Sequence, residues 1–113
     1  MTEGAKHDPR ACDAALARAF EILGKRWNGV ILAVLSDAPA SFGVLRRAVG
    51  GISDSMLSDR LGELSRAGLV TRTVTDGPPV GVVYDLTDQG RALVPALDRL
   101  SEWATDNLTL QRR

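Results

Sequence analysis

Small and polar side chains recur on one face of a predicted helix near the middle of the chain, and arginines border that face. A helix with such a face can enter the major groove of DNA. Asp59 could accept from a cytosine amino group, Ser55 or Ser58 could bond to a base or a phosphate, and Met56 could touch a thymine methyl. The arginines that border this face are suited to bind phosphates of the DNA backbone. The candidate contact residues are Arg46, Arg47, Ser53, Asp54, Ser55, Met56, Ser58, Asp59, Arg60 and Arg72. On spacing alone, an ordinary solvated helix face explains these side chains equally well.

The helix that would carry these side chains has its own start and stop signals. Ser53 is a suitable N-cap, and the spacing of Leu57, Leu61 and Leu64 predicts one buried stripe. Gly68 can adopt the left-handed conformation that ends a helix. The alternating, β-branched segment 69–75 predicts a strand, and Asp76-Gly77-Pro78-Pro79 predicts a turn into a return strand over 80–86. A polar-faced helix followed by a hairpin is typical of a winged helix.

The sequence predicts four further helices, and the winged helix needs only two of them. One is expected from Asp13, a second with Trp27, Val30, Ile31, Val34 and Leu35 on its apolar face, and a third over 42–48 capped by Ser41. Thr87 caps a long last helix that contains Pro95, where a kink or a gap in the hydrogen bonds is expected. The predicted class is α+β, mainly α: a winged helix-turn-helix with extra N- and C-terminal dimerisation helices. Residues 11–108 form one domain between flexible tails over 1–10 and 109–113.

The first and last helices flank the winged helix, and the last one has a wide apolar stripe. One small domain offers little surface to cover that stripe, so a homodimer is the simplest way to bury it. The candidate interface residues are Leu16, Phe20, Leu97, Leu100 and Trp103.

Composition narrows the function classes. The chain has 113 residues, with 14 basic and 14 acidic side chains, so it does not coat nucleic acid by bulk charge. No apolar run is long enough to span a membrane, and the N-terminus lacks a signal-peptide core, which makes the cytoplasm the expected location. A single histidine and the absence of a dinucleotide or nucleophile motif speak against an enzyme. No cofactor is expected.

Several motifs in register carry a family resemblance. They are Cys12, Gly24-Lys25-Arg26-Trp27, Ile31 to Leu35, Phe42, Leu45, Gly51-Ile52-Ser53, Leu57, Arg60-Leu61, Leu64, Gly68-Leu69-Val70, Arg72, Tyr84-Asp85-Leu86-Thr87, Gly90 and Trp103. The chain resembles the HxlR-type transcriptional regulators, relatives of the MarR group, over residues 12–104. Val83 departs from the family's frequent glutamate, and the wing tip over 76–81 lacks the family's frequent basic residues, which puts DNA contact by the tip in doubt.

The resemblance implies a DNA-binding regulator, with repression the expected outcome. A homodimer would bind double-stranded DNA at a pseudo-palindrome with half-sites ~10 bp apart. Some members of the family use a cysteine at the position of Cys12 to sense oxidants or electrophiles, and others do not. With one cysteine, sensing would proceed through a disulfide between subunits, a mixed disulfide with a small thiol, or alkylation; an inert thiol is the alternative.

Three other interpretations stay open. The regulator could respond to a small molecule in a pocket between the dimerisation helices and the DNA-binding module, without thiol sensing. The winged helix could instead serve only protein interaction, and a steep loss of DNA affinity with salt would separate the two. A metal site built from His7, Asp8 and Asp13 is the least supported, and no metal is predicted.

Overall fold

The architecture is that of a winged helix-turn-helix with one additional helix at each end. A computed structural model describes residues 13–108. In chain order the elements are α1 (Ala14–Leu23), α2 (Asn28–Asp37), α3 (Phe42–Val49), α4 (Asp54–Arg66), β1 (Val70–Thr75), β2 (Gly81–Leu86) and α5 (Asp88–Asn107). The predicted order and class are confirmed, and both strands are one residue shorter than predicted.

The core lies where α2, α3 and α4 meet the base of the hairpin. Leu57, Leu61 and Leu64 of α4 are almost completely buried, as their spacing predicts. Their partners in the core are Ile31, Leu32, Leu35, Ala40, Leu45, Ile52, Val70 and Leu86. In α2 the prediction was partly wrong, because Val30 is 47% exposed while Leu32 is buried.

Hydroxyl caps begin three of the helices at the predicted residues. The Ser41 Oγ accepts from the amide of Val44, the Ser53 Oγ from that of Met56, and the Thr87 Oγ from that of Gly90. Each cap satisfies an amide that the first helical turn leaves without a partner. The start of α4 is therefore fixed by its own sequence.

The wing is an antiparallel hairpin that is anchored at its base. Val70 pairs with Leu86 and Arg72 with Tyr84, and Tyr84 also exchanges two backbone hydrogen bonds with Ala40, at 2.8 and 2.9 Å. The hairpin is thereby connected to the segment between α2 and α3. The wing base consequently has a fixed position beside α4.

The junction of α4, β1 and α5 is tightly packed. Gly68 has the predicted positive φ, +81°, and its carbonyl accepts from the Thr87 hydroxyl at 2.6 Å. The Thr87 amide donates to the Leu69 carbonyl at 3.0 Å. One turn later, Gly90 lies directly against that carbonyl, and a Cβ at Gly90 would overlap the Leu69 oxygen. Beyond this junction, α5 continues through Pro95 without ending.

Replacing Gly90 tests this packing. Gly90→Ala should lower the free energy of unfolding by about 2 kcal/mol, because the methyl group must push backbone away from α5. The matched control is Gly29→Ala, also inside a helix, where a Cβ meets nothing within 4 Å. It should stabilise the fold by about 0.5–1 kcal/mol through helix propensity. Urea denaturation measures both, and equal effects of the two substitutions would contradict the packing argument.

Candidate nucleic-acid interface

The first two turns of α4 present the predicted small and polar side chains together. Ser53, Asp54, Ser55, Met56, Ser58 and Asp59 are all exposed, while the leucine stripe on the opposite side is buried. Because the stripe fixes the rotation of α4 about its axis, this polar face points away from the core. The arrangement leaves an exposed helix surface of short side chains that another macromolecule can approach closely.

Arg46 and Asp54 form an ion pair at the edge of this polar face. Arg46 Nη1 donates to Asp54 Oδ1 at 2.9 Å and to Oδ2 at 3.2 Å. The pair links the last turn of α3 to the first turn of α4 and balances the charge of Arg46. Arg47, in the same turn of α3, is exposed and has no carboxylate partner within the described part of the chain.

Arg60, a predicted DNA-contact residue, is less accessible than its place beside the polar face suggests. Its side chain is only 19% exposed, and Nη1 lies 3.4 Å from Glu63 Oε1. The Nε of Arg60 is buried without a hydrogen-bond partner among residues 13–108. The spacing predicted Arg60 beside the polar face, but its guanidinium lies along the helix, next to the carboxylate of Glu63.

Glu63 joins α4 to the turn between α1 and α2. Its Oε2 lies 2.9 Å from Lys25 Nζ, and its Oε1 accepts from Asn28 Nδ2 at 3.3 Å. The fully buried Asn28 also donates to the Ile22 carbonyl at 2.9 Å. The hydrogen-bonded Lys25, aided by Asn28 and the charge of Arg60, lowers the pKa of Glu63, against a desolvation that raises it. We call Lys25, Asn28, Arg60 and Glu63 the Glu63 network.

Trp27 holds an unusual backbone conformation beside this network. Its φ is +86°, in the left-handed region that non-glycine residues rarely adopt. The Arg26 guanidinium lies 4.5 Å from the ring centroid, and the ring edge reaches Gly51, in the turn that precedes α4. Trp27 therefore has a packing role between the α1–α2 and α3–α4 connections.

A cleft of about 380 Å³ separates α4 from the wing. Arg72, an exposed predicted contact residue, lies on β1 opposite Tyr84, and both residues line the cleft. We call this the α4–wing cleft, lined by Ser58, Leu61, Gly62, Ser65, Arg66, Arg72 and Tyr84. Arg66 was absent from the predicted contact residues although the sequence places it on the outer face of α4.

The residues predicted to form a dimer interface differ in their exposure. Leu16, Phe20, Leu100 and Trp103 are between 47% and 60% exposed. Leu97 differs, because it is half-buried against the core of its own protomer. None of the residues of α1 is buried, and a largely apolar cavity of about 440 Å³ opens between α1 and α5. Among residues 13–108, the outer sides of α1 and α5 therefore have no internal partner.

The candidate sensing cysteine and the least supported interpretation, a metal site, both involve residues at the N-terminus. Cys12, His7 and Asp8 lie outside the described residues, and Asp13 is exposed. Within residues 13–108, no group of three or more potential metal ligands occurs. In the same range, no helix combines the length and apolar character that crossing a bilayer requires.

Comparison with known proteins identifies the family. A family model described as HxlR-like helix-turn-helix matches residues 22–112. This chain belongs to that family. The HTH-type transcriptional regulator YodB of Bacillus subtilis is 43% identical over 86 residues, which cover 76% of this chain and 77% of YodB. YvaP of the same organism is 40% identical over 89 residues, 79% of this chain and 82% of YvaP. The chain is accordingly a helix-turn-helix transcriptional regulator, and its family implies DNA as a partner.

Solved structures agree with this HxlR-like assignment. Reduced YodB from B. subtilis gives a TM-score of 0.78 at 38% identity, with 87% of this chain and 96% of that chain covered. The oxidised form of the redox regulator HypR gives 0.78 at 30% identity, with 85% and 99% covered. Quinone-bound YodB gives 0.72 at 36% identity, with 82% and 98% covered.

The Glu63 network makes a prediction for stability against pH. Glu63→Gln keeps an acceptor for Asn28 but loses the charge that faces Lys25, so it should cost about 1 kcal/mol at neutral pH. Because folding lowers the Glu63 pKa, the wild-type advantage is complete above the ordinary carboxyl pKa of about 4.3 and declines as the pH falls below it.

Urea denaturation at neutral pH and near pH 4 measures the difference between wild type and variant. The control is Glu102→Gln, whose partner Arg99 lies 3.7 Å away in a pair more than 70% exposed on both sides; it should change stability little. A difference for Glu63→Gln that does not change with pH would contradict the assignment of the lowered pKa to the network.

Proposed function

We propose that this HxlR-like protein is a homodimeric repressor that binds a pseudo-palindromic operator through the polar face of α4. The observation that carries the proposal is the exposed row of short side chains on α4, fixed outward by the buried leucine stripe. Such a helix can approach base edges without steric obstruction. Binding at a promoter would exclude RNA polymerase and so repress transcription.

The N-terminal half of α4 is the proposed base-reading segment, because recognition helices contact bases mainly through their first turns. Asp59 accepts from a cytosine amino group, Ser55 and Ser58 bond to bases or phosphates, and Met56 contacts a thymine methyl. Arg47 and Arg72 bind phosphates, since neither guanidinium pairs with a carboxylate among the described residues. Asp54 orients Arg46 at the edge of the same surface.

The exposed apolar residues of α1 and α5 support the proposed homodimer. Leu16, Phe20, Leu100 and Trp103 are large apolar side chains that are about half exposed on the two terminal helices, and clustered exposed apolar residues mark interaction surfaces. An interface of this kind between two copies would be isologous and would relate the two α4 helices by a two-fold axis. Two helices on one side of DNA then read half-sites ~10 bp apart.

Operator selection tests the proposed function. From a random duplex pool the wild type should select an inverted repeat and bind it with two protomers per duplex, as sedimentation measures. Asp59→Ala should change the preferred base at one position of each half-site, since removing a base contact costs about 1–3 kcal/mol of discrimination. Asp106→Ala, an exposed substitution at the end of α5, should leave the selected sequence unchanged. Selection of no sequence by the wild type would overturn the proposal.

A thiol switch at Cys12 is the proposed mode of regulation. Related structures carry the descriptions quinone-bound YodB and redox regulator HypR, and Cys12 is the one cysteine of this chain. An electrophile such as a quinone would add to the Cys12 thiolate and form a carbon–sulfur bond. With an oxidant such as diamide, the Cys12 thiols of two subunits would lose two protons and two electrons to it and form one disulfide.

The second candidate is a small-molecule effector that needs no thiol. The observation that favours it is the apolar cavity of about 440 Å³ between α1 and α5, which lies within the size range of ligand pockets. A ligand there would act on the helices proposed to form the dimer.

Substitution of Cys12 distinguishes these two modes. Cys12→Ser should bind the operator as tightly as wild type and should keep it bound after treatment with diamide or a benzoquinone, while the wild type releases it. Fluorescence anisotropy of a labelled duplex measures both. Release of the duplex by the variant as readily as by wild type would contradict the thiol switch and favour the cavity.

A further inference from the structure

We propose that the α4–wing cleft binds one phosphodiester group of the DNA backbone, held by Arg66 and Arg72. This assignment rests on the proposed function and adds to it a phosphate-contact residue, Arg66, and its position. The cleft opens between the proposed base-reading helix and the base of the wing, and its volume is about 380 Å³.

The charges around the cleft are the first argument. Arg46, Arg60, Arg91 and Arg99 each lie within 4 Å of a carboxylate oxygen. Within residues 13–108, by contrast, neither Arg66 nor Arg72 has a carboxylate partner, and no acidic side chain lines the cleft. Two guanidinium groups in one cleft without a counterion favour an anionic ligand, and guanidinium forks match the oxygens of a phosphate.

Gly62 leaves room for the guanidinium of Arg66. The Arg66 Nη1 is 3.3 Å, and its Cζ and Nη2 are 3.9 Å, from the position that a Cβ on Gly62 would occupy. The guanidinium therefore lies along the helix surface, one turn back from its own Cα, above the bare backbone of Gly62. A Cβ at position 62 would crowd that guanidinium, so the glycine allows the cation to lie close to the backbone in the C-terminal half of α4.

The remaining lining suits a phosphate as well. Ser58 and Ser65 contribute hydroxyl groups on the α4 side, and Arg72 and Tyr84 line the wing side. Arg72 and Tyr84 are directly opposite in the antiparallel register, so their side chains lie on the same face of the hairpin. Hydroxyl and guanidinium donors from both walls can thus reach one group between them.

Position along the helix selects a phosphate over a base as the ligand. Arg66 is in the last turn of α4, whereas recognition helices read bases mainly from their N-terminal turns. The wing tip over 76–81 contains no lysine or arginine, so the cations of the wing side are at its base. A DNA strand bordering the groove that α4 enters would pass this cleft.

Removal of the Arg66 charge is the test. Arg66→Gln should weaken DNA binding roughly tenfold. The loss should be similar for the operator and for operators with single base changes, because binding to a phosphate carries no sequence information. The slope of log affinity against log salt concentration should become shallower by ~1 for each phosphate that the protein no longer neutralises. Arg66→Lys should restore part of the affinity. The control, Arg99→Gln, removes the same charge from an exposed site on α5 and should change neither the affinity nor the salt slope. The thermal midpoint of each variant shows whether it is folded.

Duplexes in which single phosphates are replaced by neutral methylphosphonates locate the bound phosphate. One position in each half-site should weaken wild-type binding, and the same replacement should weaken the binding of Arg66→Gln by a smaller factor, because only Arg72 still contacts that phosphate. Persistence of the same sensitivity in Arg66→Gln, or binding of this variant as tight as that of Arg99→Gln, would overturn the cleft assignment alone. Failure of the wild type to select any duplex would overturn the proposed function and the cleft assignment together.

Discussion

Burial of the leucine stripe of α4 is the constraint on which the rest of the structure depends. Leu57, Leu61 and Leu64 pack among Ile31, Leu32 and Leu35 of α2 in the core, and this contact fixes both the position and the rotation of α4. A shift of one residue in register would turn the helix by about 100° and replace every leucine in the core. Because the stripe supplies the stability, the opposite face can consist of short polar residues without loss of the fold.

The carboxylates of α4 determine which arginines remain available to DNA. Asp54 pairs with Arg46, and Glu63 pairs with Arg60 and Lys25. The cations without such partners in the same region of the described chain, Arg47 and the two arginines of the α4–wing cleft, border the polar face on both sides. A chain of zero net charge can therefore still present local positive charge, because Asp54 and Glu63 pair with particular neighbours rather than with these arginines.

Local signals predicted most of the fold. The Ser41, Ser53 and Thr87 caps and the positive φ of Gly68 depend on neighbours a few residues away, and all were predicted correctly. The apolar face of α2 was predicted less well. The helix is hydrophobic nearly all round, so periodicity does not distinguish the buried Leu32 from the exposed Val30. Which side is covered depends on how the other helices pack, and that information is not local.

The candidate site was predictable in its short side chains and less so in its long ones. Ser55 or Asp59 points wherever the helix face points, so helix rotation alone determines its exposure. An arginine has enough torsions to reach several partners, and its guanidinium lies where a counterion or free space allows. The Arg60 charge lies beside Glu63, and that of Arg66 lies over Gly62, where no side chain competes for the space. Neither contact follows from residue spacing. The hydrogen bond between Asn28 and Glu63 could not be predicted either, because the two residues are 35 positions apart in the sequence.

The Glu63 network also makes the positions of α1 and α4 interdependent. Asn28 is completely buried, and its amide nitrogen donates both to the last turn of α1 and to the carboxylate of α4. Moving α1 relative to α4 would break one of these hydrogen bonds and leave an N–H of the buried Asn28 amide without a partner, which is costly in a low-dielectric interior. The left-handed φ of Trp27 belongs to the same turn, and such a conformation persists only where surrounding contacts determine it. The helix proposed for dimerisation and the helix proposed to read DNA are thus connected by polar contacts through Asn28.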